Sequence, residues 1–145
     1  MPGSGSSLRF MNLSDPTRIL AGILLLSLVT VESGGLYLVR LVGGKAPATA
    51  FQLGFSRAGH AHAGVLLILS LVIQFYVDGS GMTGFAGWVA RTLVPIAALL
   101  MPAGFFFSSM GAGRTTPNKL IVLVWAGAVS LAIGLATLGI GLLVR

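Results

Sequence analysis

The sequence predicts an all-α, polytopic membrane protein: four transmembrane helices in an antiparallel bundle, the third bent at proline. Three observations lead there. Only 8% of the 145 residues are charged and 55% are hydrophobic, whereas a soluble domain carries about 25% charged residues to cover its surface. Four segments, about 18–42, 57–77, 87–107 and 120–144, each supply the roughly 20 apolar residues that a hydrocarbon core demands. The runs are continuous and do not alternate at every second position, which excludes a transmembrane β-barrel. They fill most of the chain, so 1–145 reads as one transmembrane domain with no soluble second one.

Taken in order, residues 1–15 read as a flexible tail, because Met1-Pro2-Gly3-Ser4-Gly5-Ser6-Ser7 is linker-like. The apolar run from Ile19 is too long for the core of a signal peptide, and Glu32 spoils the small-residue stretch that would mimic a cleavage site. The first segment is therefore read as a span. Asp15-Pro16-Thr17 predicts its start, with Asp15 as N-cap and Pro16 at the first helical position. Gly43-Gly44 ends it, and Lys45-Ala46-Pro47 turns the chain. Phe51–Gly54 belongs either to an interfacial piece or to the first turns of the second helix. Asp78-Gly79-Ser80-Gly81 closes that second span.

The third span begins near Trp88 and holds Pro95 and Pro102. Each proline lacks an N–H and frees a carbonyl about four residues earlier, which predicts a bend. Arg91 is expected to snorkel to the headgroups. Thr116 or Asn118 caps the fourth helix. In that helix Gly127, Ser130, Gly134, Thr137 and Gly141 recur at a 3,4 spacing. In lipid, helices associate through close contact and hydrogen bonds, so this stripe of small residues predicts a packing seam against another span or another subunit.

Composition also excludes function classes. The formal net charge is +6, but there is no basic run and no soluble face, so nucleic acid is not an expected partner. The lipid bilayer, other membrane subunits or further copies of this chain are. With no cysteine there is no disulfide, thiolate metal site or ordinary iron–sulfur cluster. Neither a Gly-x-Ser-x-Gly elbow nor a His-Glu-x-x-His motif is present. An integral protein of a bacterial cytoplasmic membrane is expected. Four spans put both termini on one side: Arg9, Arg18, Arg91 and Arg145 lie there, against Arg40, Lys45, Arg57, Arg114 and Lys119 on the other. If Arg40 and Arg57 enter a buried cluster, the remaining count favours cytoplasmic termini.

The candidate site is polar and intramembrane. Both histidines of the chain lie in Arg57-Ala58-Gly59-His60-Ala61-His62-Ala63-Gly64, and the only glutamate, Glu32, is in the first span. An ionisable group at this depth costs roughly 2.5–3.5 kcal/mol and calls for a partner. Glu32 lies ten residues before Val42, and His62 eight after Gly54. At about 1.5 Å per residue, antiparallel neighbours would bring them level. A Glu32–His60 hydrogen bond flanked by Arg40 and Arg57 is the expectation. Arg57, His60 and Gln74 share one helical face, while His62 lies about 200° round from His60.

Such a cluster fits four readings. It fixes helix register, or it relays a proton in a transporter or channel. It holds haem or a quinone in a redox module through a neutral imidazole. In the fourth, the chain is an accessory or binding subunit of a larger membrane assembly. A metal, if any, would be held by His60 or His62. The accessory role is favoured, because four short-looped helices leave little room for a complete transport path.

Overall fold

A computed structural model describes residues 13–144. Its elements are α1 (Asp15–Val42), α2 (Ala50–Ser80), α3 (Gly84–Ser108) and α4 (Val122–Leu143), the last entered through a 3₁₀ turn at Lys119–Ile121. There is no strand among the described residues. By length and composition α1, α2, α3 and the stretch Lys119–Leu143 each suffice to cross a membrane. Most of the expected tail, residues 1–12, lies outside the described residues.

Local chemistry sets the helix ends, in several places differently from the expectation. The N-cap of α1 is Ser14, whose hydroxyl accepts from the Thr17 N–H; Asp15 and Pro16 are already helical. Asp15 instead pairs with Arg18 across one turn at 3.1 Å. α2 begins well before Arg57. Thr49 and Gln52 form a reciprocal capping box, the Thr49 hydroxyl accepting from the Gln52 backbone N–H and the Gln52 side-chain Oε1 accepting from the Thr49 backbone N–H. Phe51–Gly54 is therefore the first part of one 31-residue helix. That helix stops at Gly81, whose left-handed backbone (φ 60°) suits glycine. α3 starts at Gly84, ahead of Trp88. Asn118 caps the 3₁₀ turn by accepting from the Leu120 N–H.

Successive helices pack on one another: α1 on α2, α2 on α3, and α3 on α4. Two apolar clusters fill the contacts. Leu24, Leu66, Leu67, Ala98 and Met101 form one, and Ile73, Val77, Ala90, Val94 and Leu138 the other. α2 and α3 occupy the middle, while α1 and α4 each bury one narrow stripe and leave the rest exposed.

The small-residue stripe of α4 meets α3 of the same chain. A Cβ at Gly127 would fall 2.5 Å from Met101 Cγ and 3.0 Å from its backbone N, and one at Gly134 would fall 3.0 Å from Val94 Cγ2. Between them the Ser130 hydroxyl donates to the Leu93 carbonyl at 2.7 Å. Gly141 continues the stripe against Met82, while the Thr137 hydroxyl turns back to the Ile133 carbonyl of its own helix.

These contacts make a prediction. Gly127→Ala pushes α4 off α3 and lowers stability in detergent by about 1–3 kcal/mol. Gly139→Ala, where an added Cβ meets nothing within 4 Å, leaves stability unchanged or raises it by up to about 1 kcal/mol through helix propensity. Thermal unfolding of the two purified variants checks this.

Candidate functional site

The two histidines leave α2 in different directions. The His60 ring lies over Gly34 and Gly35 of α1: a Cβ at Gly35 would sit 3.3 Å from His60 Cε1 and 3.5 Å from Nε2. The contact is tight at Gly35, where an added Cβ would press on the ring, and ordinary at Gly34, where it would sit 3.7 Å from Nδ1. His62 faces α3, its ring centroid 5.0 Å from that of Phe105. Its Nδ1 is 2.8 Å from the Ala58 carbonyl. A carbonyl only accepts, so Nδ1 carries the hydrogen of this bond.

The expected Glu32–His60 hydrogen bond is not formed. Glu32, Arg40 and Arg57 are exposed, and their side chains join no hydrogen bond or ion pair among the described residues. Gly34 and Gly35 of α1 reach the His60 ring, so the two helices are close at this level. Glu32 itself is turned aside. The stripe that α1 turns toward the core is Thr17, Leu24, Leu28, Val31 and Gly35. Glu32 lies about 60° round the helix from Thr17 and Gly35, at the margin of that stripe, and is exposed. Nor do three His, Asp or Glu side chains come together as a metal site among the described residues. Gln74 is fully buried, but toward the other end of α2, remote in sequence from the histidines.

There it belongs to a polar junction that the sequence reading missed. Arg91, expected at the headgroups, is only 7% exposed. Its Nη2 donates to Asp78 Oδ1 at 2.8 Å, and its Nη1 donates to the Thr17 hydroxyl and to Gln74 Oε1 at 3.4 Å. Asp78 also accepts from Ser14, from the backbone N–H at 3.0 Å and from the hydroxyl at 2.8 Å. One guanidinium and one carboxylate thus tie the start of α1, the end of α2 and the first turns of α3 together. Beside them opens a cavity of about 310 Å³ lined by Ser14, Asp78, Met82, Trp88 and Arg91.

Proline explains the remaining bond. Pro95 has no N–H for the carbonyl of Arg91, four residues earlier. The Gln74 side-chain amide donates to that carbonyl at 2.9 Å and to its own helix at Ser70 at 3.3 Å. The signals were present in the sequence: a buried-face glutamine, an Arg-x-x-x-Pro spacing, and one of only three acids next to the α2–α3 turn.

At the opposite end, the capping residues of α2 also hold the α3–α4 connection. Thr49 donates to the Arg114 carbonyl, and Gln52 donates to the carbonyls of Ser109 at 3.0 Å and Gly111 at 2.7 Å. Near His60 an apolar groove of about 650 Å³ opens on the outer surface, lined by Gly35, Leu38, Val39, Val42, Gly43 and His60.

Gln74→Leu leaves the Arg91 carbonyl without its donor, which costs about 1–3 kcal/mol for a buried polar group. Adding Pro95→Ala restores a backbone N–H, so the double variant recovers part of that loss. Equilibrium unfolding of both variants in detergent reads the coupling; equal and additive losses would contradict the assignment.

The chain was also compared with known proteins, and no protein family, curated protein or solved structure gives a match.

Proposed function

We propose that this protein works as a binding or accessory subunit of a larger membrane assembly, and that α1 is the helix it offers to its partner. One observation carries the reading: Glu32 is exposed on α1. The 28-residue helix is about 42 Å long, longer than the roughly 30 Å hydrocarbon core. Glu32 lies about 15 Å from its Val42 end, and so within that core. A carboxylate turned toward acyl chains there costs about 2.5–3.5 kcal/mol. A donor from another polypeptide removes that penalty, and the exposed apolar residues Leu25, Leu26, Val29 and Leu36 around it supply contact area. In this reading the four helices form an antiparallel bundle, with α3 bent at Pro95 and Pro102.

The partner is a transmembrane helix that presents a basic or hydrogen-bonding side chain at the level of Glu32. Mild detergent extraction of a tagged chain should yield a stoichiometric complex, with Glu32→Leu releasing the partner. A monodisperse single chain, identical in wild type and variant, would overturn the reading; a complex of this chain alone would make the partner a second copy.

The groove at His60 favours a second reading, a haem- or quinone-binding redox module. A half-exposed imidazole beside a wide apolar surface suits a flat apolar ligand, and neutral imidazole is an ordinary axial ligand for haem. The chain supplies one wall only, so a neighbouring subunit would supply the other. Purified complex should then show a Soret band that disappears in His60→Ala and persists in His62→Ala. A colourless preparation from haem-replete cells counts against haem. The proton-relay reading lacks comparable support, because Glu32 and His60 share no hydrogen bond.

A further inference from the structure

We propose that the end of the molecule carrying the α1–α2 and α3–α4 connections is a basic rim that sits against the anionic headgroups of the cytoplasmic leaflet, with both ends of the described chain on the opposite side. The argument starts from where the charges fall. Arg40 is in the last turn of α1, Lys45 in the connection after it, and Lys119 opens the 3₁₀ turn. Arg114 lies in the α3–α4 connection, whose carbonyls receive the Thr49 and Gln52 side chains at the start of α2. Those bonds place the two connections side by side. Arg57 is about 10 Å into α2 from Ala50, within snorkelling reach of the same surface.

None of these five cations has an acidic partner among the described residues, and four of them (Arg40, Lys45, Arg57 and Lys119) are exposed. The other end is different. Its acids are Asp15 and Asp78, and they hold Arg18 at 3.1 Å and Arg91 at 2.8 Å. Arg91 is buried, so it offers nothing to a lipid surface. Orientation follows the excess of Lys and Arg in short loops and near span ends. With Arg91 withdrawn, the count among the described residues is five on the loop end against Arg18 on the other; Arg9 and Arg145 lie outside them. The expectation of cytoplasmic termini required Arg40 and Arg57 to be the buried pair; the buried arginine is Arg91, and the sign of the bias reverses. Lipid phosphates are the matching partner, because basic groups close to a span end meet them first.

The chain contains no cysteine, so single cysteines report topology without background. Thr83→Cys, in the α2–α3 turn, and Ala112→Cys, in the α3–α4 connection, are both at exposed positions. Treated with a membrane-impermeant maleimide in right-side-out spheroplasts, Thr83→Cys should label at least tenfold faster than Ala112→Cys, and permeabilisation should equalise them. The reverse pattern overturns the proposal. In the triple variant Arg40→Gln, Lys45→Gln, Lys119→Gln the rim should lose control, and both cysteines should label in intact spheroplasts; an unchanged pattern would show that the rim does not set orientation. For the headgroup contact, wild type reconstituted in mixed phosphatidylglycerol and phosphatidylcholine vesicles and re-extracted should retain phosphatidylglycerol several-fold over the triple variant. Equal retention would remove the lipid as partner.

Discussion

The Arg91–Asp78 ion pair governs how the helices are turned. Burying a guanidinium is tolerable only when its donors are met, and here a carboxylate, a hydroxyl and a side-chain carbonyl from two other helices meet them. Ser14 and Thr17 take part, so the first turn of α1 is pinned with Thr17 inward. Once that residue is fixed, helical periodicity decides the rest. Leu24, Leu28, Val31 and Gly35 lie within about 40° of Thr17 around the helix and face inward with it, while Glu32, about 60° round, is left at the exposed margin. A polar contact at one end of α1 thus sets the stripe that faces α2 along the helix.

The same economy applies to α3. Proline at position 95 would leave a buried carbonyl orphaned, and Gln74 supplies the missing donor. The bond ties a defect of one helix to a polar residue of its neighbour, which explains why a glutamine is tolerated at a fully buried position. On the far side of α3, Ser130 bonds to the Leu93 carbonyl while Gly127 and Gly134 let α4 approach closely. In a bilayer, where apolar side chains gain little by leaving lipid, such contacts specify the arrangement.

The spans were legible because length and continuous hydropathy are local properties of the chain. The α4 seam was legible for the same reason, as a spacing. The start of α2 was not, because the capping box of Thr49 and Gln52 lengthens the helix beyond its apolar run. The Glu32–His60 pairing failed because level along a helix can be counted from a sequence, whereas rotation depends on a contact elsewhere. By position alone Arg91 reads as a snorkelling residue; its partners are separated from it by 13, 17 and 74 residues.

The rotation of α1 is the claim on which the functional reading stands, and cross-linking in this cysteine-free chain tests it directly. A Cβ at position 35 would meet only the far edge of the His60 ring, at 3.3 Å, so Gly35→Cys and His60→Cys stand about one ring apart, too far for a direct disulfide, and should be bridged in membranes by a short bifunctional thiol cross-linker. The pair Glu32→Cys with His60→Cys should remain unbridged. Efficient bridging of the second pair, with the first unreactive, would mean that Glu32 faces α2 and that α1 presents a different surface to its surroundings.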